Sequence, residues 1–195
     1  MHNVTVAFAA LLVMLLSYFF GCFNGSFMVS HFIIRDDVRK HGSGNAGLTN
    51  FYRTYGAKYA LLVIACDMGK TVAACLLGSF FFRCLGWDGT LGTLLAGLGC
   101  ELGHIFPVFY GFRGGKGILS GGTLVLLLNW RVAAVAWALF LLLWLTTRYV
   151  SLASITATCS APITVYFVYG HNWLYTGLCL AVAALVVWCH RENIQ

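Results

Sequence analysis

Two polar, glycine-rich stretches interrupt an otherwise apolar chain, and they limit its fold more than any other feature. The first, residues 41–53, holds Gly42-Ser43-Gly44-Asn45, then Gly47, Thr49, Asn50 and Arg53. The second, residues 103–117, opens with Gly103-His104, passes Phe106-Pro107 and closes with Gly114-Gly115-Lys116-Gly117. Glycine lets backbone N–H groups come close to a ligand and point the same way. Arg and Lys beside such groups suit an anion, above all a phosphate. The residues therefore predict two phosphate-cradling loops carried on a membrane scaffold.

The scaffold follows from the rest of the chain. Its 195 residues are 60% hydrophobic and only 9% charged, whereas soluble domains run near about 25% charged. A net charge of +6 is what basic cytoplasmic loops confer on a membrane protein, so nucleic acid is not the expected partner. The eight Cys form no C-x-x-C pair and mostly sit in or beside apolar runs. They read as small buried hydrophobes, not as metal ligands or disulfides. The first residues carry no Lys or Arg, which argues against a cleaved signal peptide and keeps the first apolar run as a span.

Apolar runs predict an all-α polytopic integral membrane protein of about seven transmembrane helices, one domain over 1–195, with glycine-rich cytoplasmic loops. The expected spans are residues 4–34, 56–82, 90–110, 118–128, 132–147, 151–169 and 173–189, the first with a weak point at 21–26. The fourth is short, and later orientation inverts if it fails to cross. With seven crossings, Arg35, Arg39, Lys40, Arg53, Lys58, Arg113, Lys116, Arg148 and Arg191 collect on one side, and only Arg83 and Arg131 on the other. That bias places both glycine loops and the C-terminus in the cytoplasm and the N-terminus outside.

Simpler motif matches fail on context. Gly42-x-Gly44-x-x-Gly47, with Asp67 twenty residues on, lacks the preceding strand and βαβ unit of a dinucleotide site. A Walker loop needs Ser or Thr after its Lys, where this chain has Gly117. His31 and Asp36 match the H-x4-D spacing of soluble-type acyltransferases, but no second motif of that class follows. Asp67 and Lys70 lie three residues apart in an apolar span, where charges are costly and face the bundle interior. They are either a structural bridge, or Lys70 helps shape the site. Glu101 sits one turn from His104 and is placed to orient a neighbour. His104 is either helix-end structure or a ligand contact.

Taken together, Gly42-Ser43-Gly44-Asn45-x-Gly47-x-Thr49-Asn50-x-x-Arg53, Gly103-His104-x-Phe106-Pro107, Gly114-Gly115-Lys116-Gly117 and His190-Arg191-x-Asn193-Ile194 resemble the bacterial membrane family of acyl-phosphate:glycerol-3-phosphate acyltransferases (PlsY). Asp37-Val38-Arg39 and Asp67-x-x-Lys70 match further family elements. Leu48, the absence of a proline after Gly25-Ser26, and Gly69 before Lys70 depart from it. The resemblance implies transfer of an acyl group from acyl phosphate to the first hydroxyl of sn-glycerol 3-phosphate, giving lysophosphatidic acid and phosphate. By motif it implies catalytic roles for Ser43, Arg53, Lys116, Ser154, His190 and Asn193, with Ser154 preferred to Ser151 on spacing. It implies substrate contacts at Gly42, Gly44, Asn45, Thr49, Asn50, Lys70, His104, Gly114, Gly115 and Gly117. Neither metal nor cofactor is expected. The protein is expected to act as a monomer in the bacterial inner membrane, with membrane lipid around it. A transporter or channel for a phosphorylated solute is the alternative.

Overall fold

The computed structural model describes residues 2–194, and every regular element among them is helical. The first apolar run forms α1 (His2–Cys22), breaks at Phe23 and Asn24, and resumes as α2 (Gly25–Met28) and a π-helical turn, Val29–Ile34. The break falls within the expected weak point. Asn24 makes it: its side-chain oxygen accepts from Phe27 N at 2.9 Å and starts α2, while its amide donates to Ala46 O at 2.9 Å in the first glycine loop.

Residues 35–53 are not all loop. Leu48, Phe51 and Tyr55 share one face at helical spacing, and α3 (Leu48–Tyr55) forms with Phe51 fully buried. The helix α4 (Ala60–Cys84) runs to a turn at residues 85–88, and α5 (Gly89–Ile105) returns from it, with the Asp88 carboxylate capping Thr90 N at 2.8 Å. This helix stops short of the expected residue 110 because Pro107 has no N–H to continue it and disfavours helix before it. Then come α6 (Ile118–Leu128), α7 (Trp130–Thr147), α8 (Val150–Val168), α9 (Trp173–Cys189) and the short α10 (Arg191–Ile194). Asn129 caps α7 and Asn172 caps α9 through their side-chain oxygens, so both expected turns lie at side-chain caps.

Helix α5 is the axis of the bundle and is buried over most of its length. A Cβ at Gly99 or Gly103 would run into the Met14 or Tyr18 carbonyl of α1, and one at Gly92 into the Gly78 carbonyl of α4. Without a hydrophobic drive in lipid, such close backbone approach is what holds membrane helices together. Large apolar side chains such as Leu11, Leu61, Phe80, Leu142 and Phe167 point outward, as a lipid-facing surface requires.

Among the described residues, five helical segments are long and apolar enough to cross a membrane, while α6 and α9, at 11 and 17 residues, are shorter. The second loop explains the length of α6. It folds back on α5, with Gly115 N donating to His104 O and Gly114 N to Ile105 O, both at 3.1 Å. So α6 begins beside Glu101 rather than at the end of α5. Its far end is tied to α8 by Tyr169 Oη, which donates to Leu128 O at 2.7 Å. The expected orientation of the two termini falls on Met1 and Gln195, outside the described residues.

Candidate active site

The first loop is built around Asn50. Its side-chain oxygen accepts from Ser43 N at 3.0 Å, and its amide donates to Val38 O, His41 O and Asn45 O. Nearby, the Asp36 carboxylate joins His41 Nε2 at 2.7 Å and accepts from Tyr55 Oη at 3.0 Å. Burial, and then that carboxylate, push the Tyr55 hydroxyl up to about 12. Arg39 pairs with Asp37, holding that carboxyl below its ordinary range, donates to Tyr110 O at 2.7 Å and lies over the Phe27 ring. With Ala46 N donating to Gly114 O at 3.3 Å, these contacts join the two loops into one unit.

Beneath the joined loops opens a cavity of about 1000 Å³. Ser43, Asn45, Thr49, Arg53, Lys116, Ser154, His190 and Asn193 line its polar mouth. No hydrogen bond or ion pair to the described residues engages the Arg53 guanidinium or the Ser43 and Ser154 hydroxyls, which leaves them open to a ligand. The Lys116 ammonium donates to the Asn193 side-chain oxygen. Burial lowers the Lys116 pKa from its ordinary 10.5. His190 Nδ1 donates to Val186 O at 2.8 Å, leaving the Nε2 lone pair free. Burial, with Lys116 nearby, pushes the His190 pKa below its ordinary 6.5 and keeps the ring neutral at pH 7. Deeper, between α6, α7, α8 and α9, the walls are apolar: Val125, Ala136, Phe140, Ala161, Cys179 and Val182.

Beside the mouth lies a buried polar network. Asp67 Oδ1 accepts from Lys70 Nζ at 2.8 Å and from Gly25 N at 3.0 Å. Lys70 Nζ also reaches Gly21 O and Phe23 O at 3.1 Å and His104 Nδ1 at 2.8 Å. The carbonyls are orphans of the α1 C-terminus, and a cation satisfies them well.

Three expectations change here. Lys70 stands outside the cavity lining, its ammonium enclosed by protein acceptors, so it is no direct substrate contact. The N–H groups of Gly44, Gly114 and Gly115 donate to His41 O, Ile105 O and His104 O and do not cradle a ligand. Gly42 and these three glycines also lie off the lining, whereas Gly117 is on it. Gly117, at φ +82°, packs on the Glu101 carboxyl where no Cβ would fit. Asn50 lines the cavity, but its amide is fully engaged in building the loop. Ser151 and Ser154 both line the wall, Ser154 the more buried. Arg148 and Trp137 were not foreseen as lining residues. In the sequence Arg148 reads only as one of the cytoplasmic-side charges, and Trp137 only as part of a span. Asn24 was also missed, although a lone Asn in an apolar run was the available signal.

The sequence model of a family described as glycerol-3-phosphate acyltransferase matches residues 11–195. A glycerol-3-phosphate acyltransferase of Syntrophomonas wolfei is 39% identical over 187 residues, covering 96% of this chain and 91% of that one. Another, from Finegoldia magna, is 37% identical over 179 residues, covering 91% and 87%. The crystal structure of PlsY, an integral membrane glycerol 3-phosphate acyltransferase, in its glycerol 3-phosphate form superposes with a TM-score of 0.82 at 36% identity, covering 95% of this chain and 90% of that one. Its lysophosphatidic acid form gives 0.80 at 34% identity, with 95% and 89% covered.

Proposed function

This chain belongs to the glycerol-3-phosphate acyltransferase family, and on that premise we propose that it moves an acyl group from acyl phosphate to the sn-1 hydroxyl of glycerol 3-phosphate. The hydroxyl oxygen attacks the acyl carbon, the carbon–oxygen bond to phosphorus breaks, and inorganic phosphate leaves with lysophosphatidic acid as the other product. The observation that carries this reading is one cavity with a cationic mouth and an apolar depth. Such a cavity suits two anions at one end and a single acyl tail at the other. The transporter alternative is not favoured by the family membership.

Acyl phosphate is already activated, so the site's task is to bring two anions together and stabilise charge in transit. Arg53 and Lys116 share that task, with Arg148 as a third cation at the mouth. Ser43, Ser154 and Asn193 orient the oxygens around them. His190 Nε2 takes the hydroxyl proton, consistent with a neutral ring whose other nitrogen is fixed on Val186 O. The monomer is the unit we propose to act. We place it in the bacterial inner membrane with seven crossings, α6 and α9 included, and the joined loops in the cytoplasm, where charged substrates are delivered.

The test is phosphate release from palmitoyl phosphate by purified protein, with lysophosphatidic acid identified by mass spectrometry. Release that requires glycerol 3-phosphate and survives EDTA is expected. Full activity with acyl-CoA alone, or EDTA inactivation that magnesium restores, would contradict the donor and metal assignments.

A further inference from the structure

We propose that Lys70, though outside the cavity, is a positioning residue that fixes His104 as the Nε2–H tautomer and so presents an uncharged donor to a substrate phosphoryl oxygen. The inference rests on the acyl transfer reading above and adds to it a role for a buried pair.

The hydrogen inventory of the network decides the tautomer. An ammonium carries three donors and no acceptor. Lys70 Nζ faces four acceptors, Asp67 Oδ1, Gly21 O, Phe23 O and His104 Nδ1, so its three N–H are shared among them. A proton on Nδ1 would point at an ammonium 2.8 Å away, so Nδ1 is the accepting nitrogen. The one other group that could take a proton from Nδ1 is Asp67 Oδ1, at 3.6 Å, beyond hydrogen-bond reach. Asp67 is meanwhile engaged by Lys70 and by Gly25 N. With Nδ1 bare, the single proton of the neutral ring sits on Nε2.

Nε2 faces the site. It packs against Gly115, where a Cβ would overlap it, and the ring lines the cavity although His104 is only 3% exposed. No described residue accepts a hydrogen bond from Nε2. The described residues leave this N–H to whatever occupies the cavity, and the loop beside it carries Lys116 and Gly117 of the same wall. A phosphoryl oxygen held by Lys116 is the acceptor that fits this place. His190, whose Nδ1 donates to a carbonyl, holds the opposite tautomer. The site thus pairs one imidazole that donates from Nε2 with one that accepts there.

The measurement is nitrogen NMR of protein labelled with 15N-histidine in detergent micelles, the signals of His104 assigned by their loss in His104→Gln among the six histidines. A bare Nδ1 and a protonated Nε2 are expected, with Nε2 shifting on addition of a substrate. Glycerol 3-phosphate and a non-hydrolysable acyl phosphonate, added separately, show which phosphate it meets. A proton on Nδ1, or an Nε2 that neither compound moves, overturns the proposal. Kinetics give an independent readout. His104→Asn, whose amide replaces Nδ1, should lower kcat/KM about ten- to a hundredfold. His104→Gln, whose amide reaches the Nε2 position, should recover most of that loss. Equal losses in both would mean a merely structural histidine. Failure of the acyl transfer reading would look different, namely no lysophosphatidic acid from wild-type protein whatever the tautomer.

Discussion

The two halves of the bundle pack by different rules. Around α5, helices α1 and α4 approach through glycines until backbones touch, and the charges they bury are tied to each other and to helix ends. Around α8, helices α6, α7 and α9 meet through side chains and leave a long apolar cavity. The first half cannot move without breaking backbone contacts or uncovering Asp67 and Lys70. The second can change a wall residue and still close. A rigid frame therefore aims the polar groups, and an adaptable wall accepts a tail. From His190 to Cys179 the wall of α9 descends eleven residues, about 16 Å at the helical rise, deep enough for most of a fatty acyl chain.

Substitutions separate the halves, and the largest effect belongs to the frame. Gly103→Leu drives a side chain into the Tyr18 carbonyl and should abolish monodisperse protein in size-exclusion chromatography. Ala161→Leu, of similar added bulk but facing the cavity, should leave a folded protein, since only overpacking of the wall, of order 1–3 kcal/mol, opposes it.

Next come the mouth cations. Lys116→Ala or Arg53→Ala removes a charge-assisted bond of about 1.5–3 kcal/mol and should lower kcat/KM for glycerol 3-phosphate by roughly ten- to a hundredfold without loss of folded protein. Arg53→Lys should recover only part, because the bidentate fork is gone. If these residues were only positive-inside anchors, insertion would suffer and turnover per folded molecule would not.

A smaller effect concerns pH. His190 must be neutral to accept a proton, so kcat/KM should fall as pH drops through its pKa, which lies below 6.5. Lys116 must be charged, so the alkaline loss should begin below its ordinary 10.5. An acid limb that persists in His190→Asn belongs to the substrate phosphate instead. The smallest is Arg39→Ala, which loosens the clamp on Tyr110 O and should cost about 1–2 kcal/mol, read as a lower Tm with KM rising more than kcat falls.

The helices were legible because apolar runs and their polar breaks, such as Asn129 and Asn172, are written locally. So was the set Ser43, Arg53, Lys116, Ser154, His190 and Asn193 as a group from distant segments that would meet, since all line one cavity. What stayed hidden depends on partners far along the chain. The orphan carbonyls of Gly21 and Phe23 that Lys70 caps exist only because α1 breaks at Asn24. The glycine N–H groups looked like phosphate donors until the loops folded onto α5 and engaged them. Arg148 faces the mouth from a left-handed turn at φ +62°, a direction no spacing rule specifies.

The central claim is that charge is handled at the mouth and tail length in the depth, and one ratio tests it. Measure kcat/KM for palmitoyl phosphate and octanoyl phosphate in wild type, Lys116→Ala and Ala161→Leu. Lys116→Ala should depress both donors alike and leave their ratio unchanged. Ala161→Leu should leave octanoyl transfer nearly intact and cut palmitoyl transfer about tenfold, by excluding the tail from the cavity floor. A ratio altered as much by Lys116→Ala as by Ala161→Leu, or by neither, would contradict the division.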